Sequence, residues 1–192
     1  DEVGWFDESY ELALDYENRS EGFSPECIQG LRDPTSTYEE VSHGCYWDYL
    51  RIYLPIGAIP IAWPSMPLPP GSLYAQGDPS HNSETFKVFA EANRTVMGGL
   101  FVVPQGGKKS LVFAYQLPGG ILKKDGKNLM YSLAVQKQPG ALDHPLRISV
   151  SFPQAWELQE PATTPSFSQP GLVEFQTTLT RDFVLDLVFT PS

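Results

Sequence analysis

The chain has 192 residues, 41% of them hydrophobic and 12% aromatic, with 18 prolines and 16 glycines. That is enough apolar content for a sizeable core with many turns, and it points to a folded chain rather than a disordered one. Thirteen lysines and arginines against 23 aspartates and glutamates give a formal charge of -10, which argues against nucleic acid or an anionic membrane surface as the main partner, because both reward clustered cations.

In chain order the pattern is one of strands. Tyr10, Leu12, Leu14 and Tyr16 alternate with Glu11, Asp15 and Glu17, which predicts a half-buried strand with an acidic, solvated face. Residues 21–44 lose the alternation. They hold Cys27 and run up to Cys45, and read as a long loop stapled by a Cys27–Cys45 disulfide in an oxidising compartment. Such a bridge stabilises by roughly 3 kcal/mol on the loop-entropy model; a pair of buried free thiols is the alternative. Residues 46–54 are apolar or aromatic on both faces, with Tyr46, Leu50, Ile52 and Leu54 opposing Trp47, Tyr49 and Tyr53, as expected of a central strand covered on both sides. Pro55 ends it and opens a Pro-rich insertion over 55–85. Ile59, Ile61, Trp63, Met66 and Leu68 are spread through that insertion; they either fold back onto the domain or offer a partner an apolar surface.

Strands follow at 86–92, 96–103 and 110–117, separated by turn compositions at Asn93-Arg94 and at 104–108. A polar hairpin tip at 123–127 precedes a strand at 129–137 with Leu129, Tyr131, Leu133 and Val135 on one face, which ends in Gln136-Lys-Gln-Pro-Gly140. Leu146, Ile148, Val150 and Phe152 predict another one-sided strand, expected to pair with 129–137 across Pro139-Gly140. Residues 153–171 read as a loop or short linker, with Trp156 in it. Two strands, 172–179 and 182–189, close the chain, the second with Phe183, Leu185, Leu187 and Phe189 on one face. About nine strands and no helical period predict an all-β fold, a β-sandwich of immunoglobulin-like or jelly-roll-like type with long Pro-rich loops. The expected division is a domain over 1–153, carrying the insertion, and a linker with a C-terminal strand pair over 154–192 packed on the same domain.

Four stretches carry a likeness: Tyr49-Leu-Arg-Ile-Tyr-Leu-Pro-Ile-Gly57, Thr95-Val-Met-Gly-Gly-Leu-Phe-Val-Val-Pro104, Tyr115-Gln-Leu-Pro118 and Tyr131-Ser-Leu-Ala-Val-Gln-Lys-Gln-Pro-Gly140. Their order resembles the C-terminal ectodomain of bacterial exported, membrane-anchored proteins that carry domain of unknown function four thousand and twelve. The resemblance covers about residues 45–153, with Tyr16-Glu-Asn18 a weaker match. It implies a surface location and brings no established chemistry. Ile56 and Ala58 depart from the basic and polar residues that it leads one to expect there, and the last forty residues have no counterpart in it.

Catalytic signatures are missing. His43, His81 and His144 all lie in polar loops or turns, and no Gly-x-Ser-x-Gly elbow is present. The carboxylates Asp7, Glu8, Glu11, Asp15 and Glu17 read as a solvated face rather than a glycosidase pair, and neither Glu39-Glu40 with Asp48 nor Asp125 with its neighbours has the spacing of a known calcium loop. No cofactor is expected, with calcium the one metal considered. Trp63 and Trp156 are the aromatic candidates for stacking on a glycan, whereas Trp47 reads as core. Asn18-Arg-Ser20 and Asn93-Arg-Thr95 are glycosylation triplets. No apolar run approaches the roughly 20 residues that span a bilayer. The acidic start Asp1-Glu-Val-Gly4 lacks a signal-peptide pattern and does not begin with Met, so the expectation is a processed or trimmed piece with any signal or anchor upstream.

The function expected from these residues is a non-catalytic extracellular or cell-envelope module that meets a protein partner or identical copies. Partner contacts are expected at Ile61, Trp63, Met66, Leu68 and Trp156, and the terminal strand 182–189 is a candidate for adding to a neighbour's sheet. The alternative is a carbohydrate-binding or carbohydrate-processing surface protein that uses Trp63, Trp156 and acidic loop residues.

Overall fold

The computed structural model describes residues 9–21, 27, 28, 35, 37, 38, 40, 43–68, 72, 73, 86–119 and 121–192. The fold is all-β, and the described residues form thirteen strands in four antiparallel sheets. The chain divides into two compact units, Asp1–Pro118 and Gly119–Ser192.

In the first unit, β1 (Ser9–Glu17), β6 (Lys108–Gln116) and β3 (Ile59–Ala62) make one sheet with β6 in the middle. The other sheet places β5 (Arg94–Val103) between β2 (Tyr46–Leu54) and β4 (Lys87–Glu91). Leu12 and Leu14 sit opposite Phe113 and Leu111 across the first sheet, while Ile52 sits opposite Met97 across the second. These side chains join a single core with Phe101, Val103 and Phe86. Ring contacts stitch it together: Tyr16 meets Phe101 edge-on at 4.8 Å, and Phe86 meets Phe113 at 5.5 Å. The alternation read for β1 holds, with Glu11, Asp15 and Glu17 exposed.

The strand covered on both faces is β5, not β2. Val96, Met97, Gly98 and Gly99 are all buried in β5, whereas β2 lies at a sheet edge with Tyr49, Arg51 and Tyr53 exposed. An unbroken apolar run signals a buried strand better than a run of tyrosines, whose polar tips tolerate water. The Pro-rich stretch also holds more order than its composition implies. Pro60 sits in β3, an edge strand with a bulge between Pro60 and Ala62, the setting where a missing N–H is harmless. Residues 74–85 of that insertion, with His81, lie outside the described residues.

The second unit has β7 (Lys123–Asp125), β8 (Asn128–Val135), β13 (Phe183–Pro191) and β10 (Trp156–Leu158) in one sheet, ordered β10-β13-β8-β7. Its other sheet orders β11 (Phe167–Gln169), β12 (Leu172–Leu179) and β9 (His144–Ser151) as β11-β12-β9. Leu185 and Leu187 of β13 lie opposite Leu133 and Tyr131 of β8, and Val173 and Phe175 of β12 lie opposite Val150 and Ile148 of β9. Four sequence expectations therefore change. The strands 129–137 and 146–152 pair with the C-terminal strands and not with each other. The stretch 153–171 is no plain linker, since it contains β10 and β11. A boundary at 153 would cut through sheets that the register joins. The terminal strand is no loose tail: β8 pairs with it from Phe183 to Phe189 on one side, and β10 takes Phe189–Pro191 on the other.

The prolines and glycines of Pro55-Ile-Gly57 and Pro139-Gly140 lie in turns. Ala58 N donates to Pro55 O at 3.1 Å around Gly57, whose φ is +85°, and Ala141 N donates to Gln138 O at 3.2 Å around Gly140, whose φ is +79°. Glycine with positive φ holds the second central position in both, and the first central position is Ile56 in one and Pro139 in the other, where proline's fixed φ suits it. The β4–β5 hairpin closes on Ala92 and Asn93, both with positive φ, between the paired Glu91 and Arg94. This is a two-residue loop of the type that suits the strand twist.

Candidate recognition face

The two faces of the β2–β5–β4 sheet follow from its register. Leu50, Ile52 and Leu54 point to the core, so Trp47, Tyr49, Arg51 and Tyr53 share the outer face. Val96 of β5 lies between Tyr53 and Phe89, and Gly98 lies between Arg51 and Lys87. Glu91 and Arg94 face each other at the hairpin end. The face thus alternates rows of rings with rows of charge across three strands.

A bonded network holds these groups in place. Arg51 Nη1 donates to Glu91 Oε1 at 3.1 Å and to Tyr53 Oη at 3.4 Å, and the Tyr53 hydroxyl donates to Glu91 Oε1 at 3.2 Å. The guanidinium carbon stands 5.3 Å from the centroid of the Tyr49 ring, in cation–π range. The hydroxyl of Tyr53 and the charge of Glu91 hold the Arg51 group above its ordinary pKa, so it is always charged. Gly98 makes room for this arrangement, because a Cβ there would meet Leu50 O at 3.0 Å and both the Arg51 stem and the Phe89 ring at 3.4 Å. A side chain at 98 would crowd Arg51 and Phe89. Val96 beneath them is fully buried, yet Tyr49 remains 52% and Tyr53 47% exposed.

The residues singled out from sequence distribute differently. Cys27 and Cys45 are bridged, with their Cα atoms 5.6 Å apart, and the bridge ends one residue before β2. Leu68 is buried at 3% exposure and Met66 packs against the core, so these two fold back and are not surface contacts. Ile61 and Trp63 are exposed at and just after β3. Trp156 is half-buried in β10, opposite Pro191. Trp47 is half-buried on the outer face of its sheet, not in the core. Asn18 donates both amide hydrogens to backbone carbonyls, to Gly44 at 3.0 Å and Val103 at 3.1 Å, and accepts from Ser20. The nitrogen that a glycan would occupy is therefore committed to holding β1 against the start of β2 and the end of β5. Asn93 is exposed at its hairpin tip.

His43 and His144 are exposed, and neither bonds a hydroxyl or thiol among the described residues; the His144 ring contacts Leu142 O at 3.0 Å. Among the described residues no group of three or more His, Cys, Asp or Glu side chains is placed to hold a metal ion. A shallow open hollow in the second unit is lined by Lys137, Pro139, Gly140, Arg181 and Asp182. Its lysine is occupied, since Lys137 Nζ donates to Ala141 O and lies 3.7 Å from Asp143. The face of β2–β5–β4 was missed in the sequence because Tyr49 and Tyr53 read as core. With Arg51 on their face of the strand and Asp48 on the other, charge does not tell the faces apart in the sequence, and the register does.

Against known proteins, no family model, no curated protein and no solved structure matches the chain, so the chemistry of this face has to be read from its own residues.

Proposed function

We propose that the protein is a non-catalytic recognition module of the cell exterior, and that it meets its partner through the outer face of β2–β5–β4. The single observation that carries this is the exposed, prearranged set of Tyr49, Arg51 and Tyr53 with Glu91. Tyrosine and arginine are the residue types that concentrate binding energy at interfaces, and a network already bonded in the free protein loses little side-chain entropy on binding. The supports for an extracellular or envelope setting are the Cys27–Cys45 bridge, which suits an oxidising compartment, and the motif resemblance to the ectodomain of bacterial exported proteins carrying domain of unknown function four thousand and twelve. Among the described residues no helix is long and apolar enough to cross a membrane. In this reading each unit is a small β-sandwich, and the module is a subunit or contact domain of an envelope assembly.

The test is co-sedimentation with isolated cell envelopes of the producing organism. The wild-type protein is expected to pellet with envelopes, and a Tyr49→Ala/Tyr53→Ala double variant with an unchanged melting temperature is expected to stay in the supernatant. Equal pelleting of the two proteins, or none by either, contradicts the proposal.

A further inference from the structure

We infer that the ligand of this face is an acidic polysaccharide, bound with sugar rings on Tyr49 and Tyr53 and a sugar carboxylate on Arg51; the inference rests on the recognition reading above. Three features select this occupant. The first is ring spacing: Tyr49 and Tyr53 are four residues apart on one strand, about 13 Å, so two non-adjacent rings of an extended chain, with the intervening sugars over Arg51, meet one tyrosine and then the other. A pyranose ring presents C–H groups on its flat side and hydroxyls at its rim. Tyrosine matches that with an apolar ring and a polar tip.

The second feature is charge. Among the described residues of the three strands, Arg51, Lys87 and Arg94 share the face with one carboxylate, Glu91, on a chain whose formal charge is -10. A cationic patch on an acidic protein draws an anion to one place and repels it elsewhere. The third is free donor capacity. Only Nη1 of Arg51 makes a described hydrogen bond, which leaves Nε and Nη2 of the guanidinium fork to take a carboxylate. Lys87 stands across Gly98 from Arg51 as the second cation. A single-stranded nucleic acid also uses rings and cations and carries one charge per unit as a sugar acid does; the hydroxyl rim of a pyranose beside the polar-tipped tyrosine rings is what favours the sugar here.

The experiment is a calorimetric titration with oligogalacturonate and with its methyl ester, which share ring faces and differ in charge. The wild type is expected to bind the acid at least about tenfold more tightly than the ester, a difference of about 1.4 kcal/mol. Tyr49→Ala is expected to weaken binding of the acid by about tenfold. Arg51→Gln is expected to erase the preference for acid over ester. The inference is overturned if neither sugar binds, if acid and ester bind alike, if the variants bind as the wild type does, or if oligothymidylate binds more tightly than the acid. Failure here with envelope pelleting still dependent on Tyr49 and Tyr53 removes the acidic glycan and leaves the recognition face. Failure of both removes the face as well.

Discussion

The two sheets of the first unit cover one core and turn quite different outer faces to water. On β1–β6–β3 the outer face pairs Asp15 with Ser110 and Glu17 with Lys108 across the strands, and Glu17 also meets Arg19 at 2.8 Å. These are short-range matches between neighbours, and the two ion pairs among them lie in the open, where they contribute little to stability. On β2–β5–β4 the outer face leaves two tyrosines half exposed and ties them to an arginine and a glutamate from the far strand. The first face exposes Val112 and Ile59 singly beside its polar pairs, whereas the second ties its exposed rings into a bonded network with charge. Equal cores with unequal outsides mean that the difference comes from what each face meets.

The hardest way to break the comparison is through the core that both sheets share. Phe113 is fully buried and contacts Phe86, so Phe113→Ala is expected to cost about 3–5 kcal/mol in urea unfolding and to disturb both outer faces together. Next comes the staple. A Cys27→Ser/Cys45→Ser variant, compared with the oxidised protein, is expected to lose roughly 3 kcal/mol for its 18-residue separation, measured by the same titration.

Alkaline pH gives the third effect, through Tyr16. Burial above all, then the charge of Asp48, the neighbouring Tyr46 and a hydrogen bond to Asp48 push its phenol up to about 12. The unfolded phenol ionises near 10, so the stabilisation is complete below about pH 10 and is lost as the pH rises through about 12. With part of the ring in water, a loss of about 1–2 kcal/mol is expected over that window, and Tyr16→Phe should flatten the curve. Tyr46 and Tyr115 are raised as well, mainly by burial, and contribute in the same direction. The smallest effect sharpens the comparison on the aromatic sheet alone. Ala92 holds φ +47° in the β4–β5 loop, and Ala92→Gly is expected to stabilise by about 0.5–1 kcal/mol, seen as a higher melting temperature with the outer face unchanged.

Strands with a long, one-sided alternation were legible in the sequence: β1, β9, β12 and β13 fall where the pattern places them. The four strands that escaped, β3, β7, β10 and β11, are three or four residues long, too short for a period to show, and three of them lie among prolines and polar turns. Pairing was harder to read than strand position. Nothing in Leu146–Phe152 says that its partner is Phe175 and not Leu133, because both present the same apolar alternation and the choice is made by long-range packing. The recognition face was hidden for another reason. Tyrosine is apolar enough to count as core and polar enough to stand in water, and only the register, by pointing Ile52 and Leu54 inward, turns Tyr49 and Tyr53 out.

The measurement that tests the central claim most directly is oxidative footprinting of both outer faces at once, with the protein free and bound to isolated envelopes. Tyr49 and Tyr53 report on one face, and Val112, 44% exposed on the outer side of β6, reports on the other. The account predicts strong protection of the two tyrosines on binding and an unchanged Val112. Unprotected tyrosines, or equal protection of all three residues, would contradict it.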